Sequence, residues 1–289
     1  MEKTDKSERY QDYKNVLPVF ELYKKRYKNV SYRRSDIVKK IIKAIENDEF
    51  TLFYQPEYNL GTGKIIGVEA LVRWISPDSN TTIPPDVFIP VAEKTGLIFE
   101  LDRMVIRKAL QQKMIWESIG LEHIEMSINL SGKTIESEKD FGSIEEIIRS
   151  YKVNYNTVIF EITETMVITN IELAMERLKR LRKFGIRIAL DDFGTGYSSL
   201  IHLVKLPIDI IKIDRTFIKS IPTGNEETAI TKNILAMAHD LNFKVVAEGI
   251  ETEKQLEYLQ INSCEGGQGF LLCVPLPSDK VVDIIRGSA

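Results

Sequence analysis

Six acidic or amide residues stand at the ends of short apolar runs: Glu69, Asn129, Glu161, the adjacent pair Asp191 and Asp192, and Glu248. Oxygen donors collected from successive strand ends make a pocket suited to hard divalent cations. Converging carboxylates repel one another, and burying them unpaired is costly, so the cluster implies a metal and points to metal-dependent hydrolysis. The Asp191-Asp192 pair is the sharpest signal. Its first carboxylate can bridge two ions while the second binds one, the usual arrangement for ions about 3.5–4 Å apart. The plain alternative is an Asp-Asp turn that caps the following loop.

Lys212 lies two residues before Asp214, so both side chains share one face of a strand. An inward lysine either positions an attacking water and neutralises phosphoryl charge, or simply balances buried acids. Asp214 is then its supporting neighbour. Glu248 and Glu251 flank Gly249-Ile250, where one can serve as ligand or base and the other can brace a loop. His123, His202 and His239 fall outside the strand-end positions, which argues against histidine chemistry. The chain has no Walker-type phosphate loop, and Ser131, Ser198 and Ser199 lack a nucleophile elbow.

Positioning these groups requires strands at regular intervals. Apolar, β-branched runs occur at Phe50–Gln55, Lys64–Val72, Ile124–Leu130, Val158–Thr163, Ile186–Asp191, Ile208–Asp214, Lys244–Glu248 and Gly267–Val274. Helical spacing fills several of the gaps, as in Met104–Ile119, Ile171–Phe184, Ala229–Leu241 and Lys254–Ile261. Eight runs with helical connections predict an α/β barrel. An open doubly wound sheet would place ligands at one switch point rather than at nearly every strand end. Gly61-Thr-Gly63 suits a hairpin-like turn, which makes the first two strands antiparallel; Pro84-Pro85 suits a helix entry and Gly194-Thr-Gly196 a mobile loop.

The 289 residues, 43% apolar, suffice for one barrel-sized core. The net charge of -3 hides an asymmetry: residues 1–34 hold ten Lys/Arg against five Asp/Glu, leaving 29 against 37 in the remainder. That acidic remainder argues against DNA binding. Residues 1–35, rich in tyrosine and charge, read as an appended helical segment or linker that can meet a regulatory domain or partner, and residues 36–289 as the catalytic domain. Cys264 and Cys273 match no metal or redox spacing and are expected to be reduced. With no signal-peptide or membrane-spanning stretch, the expectation is a cytoplasmic protein without membrane insertion.

Tyr54-Gln-Pro56, Glu69-Ala-Leu-Val-Arg-Trp74, Asn129-Leu-Ser131, Glu161-Ile-Thr-Glu164, Asp191-Asp-Phe-Gly-Thr-Gly-Tyr-Ser-Ser-Leu200, Lys212-Ile-Asp214, Ala247-Glu-Gly-Ile-Glu-Thr252 and Gln268-Gly269 carry a resemblance to the EAL-domain family of cyclic di-GMP phosphodiesterases, across roughly residues 36–286. The resemblance implies a modified TIM-type (β/α)8 barrel with an antiparallel first strand and two ions, Mg2+ or Mn2+, at its mouth. It implies one ion on Glu69, Asn129, Glu161 and Asp191, a second on Asp191 and Asp192, and Glu248 nearby. Lys212 would orient the water that opens cyclic di-GMP to linear pGpG, with Glu251 and Gln268 in support. Gln55, Leu71 and Arg73 match positions that contact the dinucleotide. Glu164 matches a glutamate that anchors the loop after Asp192, a loop tied to homodimer formation in relatives. Glu57 and Cys273-Val274 depart from the family pattern. The competing readings are a cyclic di-GMP sensor or protein-interaction module without hydrolysis, and an unrelated metal-dependent barrel hydrolase.

Overall fold

The computed structural model describes residues 34–76, 81–164, 170–194, 200–221 and 226–287. Helix α1 (Arg34–Glu46) leads into strand β1 (Phe50–Asn59), which turns back into β2 (Ile65–Ser76). The strands pair antiparallel from Phe50 opposite Trp74 to Tyr58 opposite Ile65. Asn59 Oδ1 accepts the Thr62 N–H at 2.8 Å, and Gly63 takes the left-handed φ of 69° that the hairpin needs. A short strand β3 (Thr81–Ile83) pairs with the far end of β2.

Helices α2 (Pro85–Thr95) and α3 (Ile98–Ser118) precede β4 (Glu125–Asn129). The chain continues through α4 (Gly132–Glu136), α5 (Glu138–Ser150), β5 (Val158–Thr163), α6 (Ile171–Arg182) and β6 (Arg187–Phe193). It ends with α7 (Leu200–Lys205), β7 (Ile210–Ile213), α8 (Arg215–Lys219), α9 (Glu226–Asp240), β8 (Lys244–Ala247), α10 (Glu253–Ile261), β9 (Gly266–Gly267) and α11 (Ser278–Ile285). Strands β2, β4, β5, β6, β7, β8 and β9 run parallel in that order, and antiparallel β1 closes the ring between β9 and β2. The expected eight-stranded α/β barrel with an antiparallel first strand is the fold observed. Pro85 occupies the first turn of α2, where its missing N–H costs nothing.

The eighth expected strand, Gly267–Val274, is corrected by the structure. Only Gly266 and Gly267 pair as β9. At Gly269 a β-carbon would sit 2.2 Å from both the N and the O of Ile250, so no side chain fits against that backbone. The chain turns there, with the Leu272 and Cys273 N–H groups donating to Gly269 O at 3.0 and 2.9 Å. It then returns to β1 through Leu276 opposite Tyr54.

Two cores result from the barrel geometry. Outside the ring, strand residues pack under the helices; Phe50, Trp74 and Phe88 hold α2 against β1 and β2, with ring centroids 5.3–5.7 Å apart. Such ring pairs are worth about 0.5–1.5 kcal/mol each beyond their buried area. Inside the ring, Ile159, Ala189, Ile210 and Val246 form a separate apolar layer. Two residues further along each strand stand Glu161, Asp191, Lys212 and Glu248. Side chains two apart share a face, so the apolar layer becomes a floor beneath a charged one.

Candidate active site

Lys212 is the hub of that charged layer. Its side chain is 1% exposed, and Nζ lies 2.6 Å from Glu161 Oε1, 2.6 Å from Glu248 Oε1 and 3.5 Å from Glu69 Oε2. Glu69 is further held by the amide of Asn129 at 2.8 Å on Oε1 and the amide of Gln268 at 2.7 Å on Oε2. Gln268 also reaches Glu248 Oε1 at 3.4 Å. One carboxylate oxygen from each of Asp191, Asp192 and Glu248 lies within 4.8 Å of the others. Asp192 takes a φ of 55° and donates its N–H to Asp191 Oδ1 at 2.9 Å, a strained bend that turns the second carboxylate beside the first.

One ammonium among this many acids does not balance them. Burial, then neighbouring Glu69, pushes the Glu161 carboxyl well above the usual glutamate range, and burial lifts Glu248 to about 8. Burial followed by Asp191 raises Asp192 to about 6, and burial also raises Asp191. Glu69 behaves differently: burial pushes it up, but Lys212 and the Gln268 and Asn129 amides hold it below its ordinary value. Burial pulls Lys212 down, while Glu161, Glu248 and Glu69 together carry it well above the usual lysine range.

The donor set fits divalent cations. Oε1 of Glu161 meets the Lys212 ammonium, but Oε2 of Glu161 and Oε1 of Gln268 are buried without a hydrogen-bond partner, a costly arrangement in a site made only of protein. Hard oxygen donors with unspent lone pairs are what Mg2+ and Mn2+ bind, and such an ion would favour the ionised carboxylates that burial now disfavours.

Above this layer opens a cavity of about 410 Å³, lined by Leu71, Arg73, Pro85, Ile89, Asp102, Asn129, Asp191 and Asp192. A larger hollow of about 490 Å³ lies at the opposite end, along Asn59–Gly61 and Ser263–Glu265, but holds none of the candidate residues, so size does not choose the site. Gln55 faces Glu69 across the hairpin and donates to Cys273 O at 3.1 Å. Arg73 donates to Val72 O at 2.9 Å.

Three residues stand apart from the hub. Asp214 caps α8, accepting from Thr216 N–H at 2.9 Å and from the Thr216 hydroxyl at 2.5 Å. The Glu251 side chain is exposed, and its N–H donates to Gln255 Oε1 at 2.7 Å at the entry to α10. Glu164 is buried and accepts the Gly194 N–H at 2.9 Å, tying the end of β5 to the segment after Asp192. The mobile loop expected at Gly194-Thr-Gly196 lies beyond Gly194 outside the described residues, as does most of the extension 1–35.

Two buried acids escaped the sequence reading as parts of this region. Asp102 of α3 accepts the Ser131 N–H at 3.2 Å and the Thr134 hydroxyl at 2.6 Å, and burial pushes its carboxyl up to about 7. Its signal was a charge on the buried face of an otherwise apolar stripe: Ile98, Leu101, Val105, Ile106 and Ala109. Glu57 points into the barrel, where the Ser127 hydroxyl meets it at 3.4 Å and burial raises its carboxyl above the ordinary value.

A closed mixed barrel with an acid-and-lysine cluster at the carboxyl-terminal mouth defines the class of barrel enzymes, whose active sites lie at that face. The EAL-domain family model matches residues 38–275, and the chain belongs to that family. It is 39% identical over 249 residues to an uncharacterised protein of Mycobacterium tuberculosis, covering 86% of this chain and 40% of the relative. It is 37% identical over 239 residues to the bifunctional diguanylate cyclase/cyclic di-GMP phosphodiesterase MucR of Pseudomonas aeruginosa, covering 83% of this chain and 35% of that protein. The chain thus spans less than half the length of these relatives. A solved structure of the PaMucR phosphodiesterase in complex with c-di-GMP superposes with a TM-score of 0.81 at 36% identity, covering 85% of this chain and 99% of that one.

Proposed function

We propose that this protein is a cytoplasmic phosphodiesterase that hydrolyses cyclic di-GMP to linear pGpG with two divalent ions, Mg2+ or Mn2+. The observation that carries the reading is the convergence of Glu69, Asn129, Glu161, Asp191, Asp192 and Glu248 on the Lys212 layer, with Glu161 Oε2 buried and unpartnered. The similarity to a phosphodiesterase whose c-di-GMP complex is solved supports the choice of substrate. No described helix is long and apolar enough to cross a membrane.

In this reading Glu69, Asn129, Glu161 and Asp191 would hold one ion and Asp191 and Asp192 the other, with Glu248 beside them. Ions held there would supply an activated water and offset charge on phosphoryl oxygens. The chain's own groups do the rest. Lys212 Nζ holds Glu161 and Glu248 at fixed separation and supplies a positive charge toward the scissile phosphate. Leu71 and Arg73 on the cavity wall receive the dinucleotide, with Gln55 and Gln268 beneath. Asp214 fixes the end of β7, Glu251 the loop after β8, and Glu164 the segment leading into a homodimer contact. Residues 1–35 join the catalytic unit to a regulatory domain or partner.

Purified protein incubated with cyclic di-GMP and Mg2+ is expected to yield pGpG on chromatography, and excess chelator to stop it. Glu69→Ala should abolish product while leaving the circular-dichroism spectrum unchanged, because it removes a ligand at the mouth and no apolar side chain of the core. Undiminished turnover by that variant would refute the assignment, and nucleotide binding without product would favour a sensor.

A further inference from the structure

Asn129 is lightly secured. Its side chain is exposed to the mouth, and among the described residues it donates to Glu69. It is also the last residue of β4, so its aim depends on where the chain goes next. Leu130 N–H donates to Glu161 O at 2.9 Å, which carries the pairing one residue further. Ser131 then caps α4, a helix of five residues too short to hold its own position.

Asp102 supplies what α4 lacks. A single oxygen, Oδ2, takes both the Ser131 N–H and the hydroxyl of buried Thr134, two groups of the first turn of α4. The carboxylate belongs to the 21-residue helix α3, fixed by a run of buried apolar side chains. The adjacent Arg103 reaches Asp140 of α5 at 2.8 Å, so consecutive residues of α3 grip both helices that follow β4. A carboxylate 6% exposed carries a desolvation cost that an apolar residue would avoid. Its retention at this wall is accounted for if the turn it holds must be exact in position.

We propose that Asp102 is a positioning residue for the cation site: through Ser131 and Thr134 it fixes the β4–α4 turn, and with it the Asn129 carboxamide, against Glu69 and Glu161. The inference rests on the reading of the mouth as a cation site. Partners that orient metal ligands from behind typically cost about 10–100-fold in affinity or activity when removed.

The test is calorimetric titration of the metal-free full chain with Mn2+ in the absence of nucleotide, alongside the Michaelis constant for cyclic di-GMP at saturating Mn2+. Asp102→Ala is expected to bind Mn2+ about 10–100-fold more weakly at an unchanged Michaelis constant. Asp102→Asn, which keeps an acceptor, should recover most of the affinity. Thr134→Val should weaken Mn2+ in the same direction but less, and add nothing to Asp102→Ala, since the shared bond is already gone. Wild-type affinity in Asp102→Ala, or full additivity with Thr134→Val, overturns the proposal. If Asp102→Ala does not fold, Thr134→Val decides: weaker Mn2+ binding supports the positioning role and unchanged binding refutes it. A wild-type chain that binds no Mn2+ would instead remove the cation reading and this inference with it.

Discussion

At Glu248 the balance of burial and charge becomes a measurable property of the cation-free protein. Its carboxyl rises from an ordinary 4.5 to about 8 on folding, chiefly because it is desolvated. The folded state therefore holds this proton more tightly than the unfolded one. The resulting stability is whole below about pH 4.5 and is lost as pH climbs through about 8. Thermal unfolding in chelator should show the melting temperature falling across that window. Glu248→Gln should flatten the fall, and added Mn2+ should do the same by pairing the ionised carboxylate. Identical slopes for wild type and variant would contradict the assignment of this proton. The acids that make this site were legible because each ends an apolar run. The two-residue offset that pairs Ile159 with Glu161, Ala189 with Asp191, Ile210 with Lys212 and Val246 with Glu248 was equally present in the sequence, and it is the pattern of a barrel interior. Asp102 was legible only as a charge on the apolar face of its helix; the turn that it holds depends on tertiary packing and was not.

Among the elements, the parallel strands from β4 to β8 follow the expected runs closely, since strands buried on both faces must be continuously apolar. The final strand is short for a reason no propensity encodes. Gly267-Gln-Gly-Phe-Leu-Leu-Cys-Val looks like an apolar run, yet the backbone of Ile250 occupies the space where a residue-269 side chain would go. Gly269→Ala should therefore force the backbones apart, at a cost of about 1–3 kcal/mol. It should also displace Gln268, whose amide rests on Glu69 and Glu248. Lower melting temperature together with lower turnover is the expected pair of results, read by calorimetry and product chromatography. A variant that lost stability but kept full activity would detach Gln268 from the site's geometry.

Among the described residues, the strands close into a ring that needs nothing ahead of α1 for its pairing. A chain starting at Arg34 is accordingly expected to fold and to retain cyclic di-GMP hydrolysis; loss of the circular-dichroism signal on removing residues 1–33 would show that they belong to the core. Light scattering coupled to sizing should give twice the chain mass for the full protein. Monomer with full activity would separate assembly from the Glu164–Gly194 link. The extension and the segment after Gly194 were expectations on charge and glycine spacing alone, and neither pattern fixes a partner surface, because that depends on tertiary shape.

The reversed direction of β1 has a further consequence. In a wholly parallel barrel the polypeptide would arrive at the floor, a full strand length from the chemistry. Here Phe50 begins opposite Trp74, so the thread comes in over the rim, and α1 rests on α2, whose Pro85 and Ile89 form the cavity wall. Residues 34–46 thus lie between whatever precedes them and an element that walls the cavity, so a load on α1 would bear first on that wall.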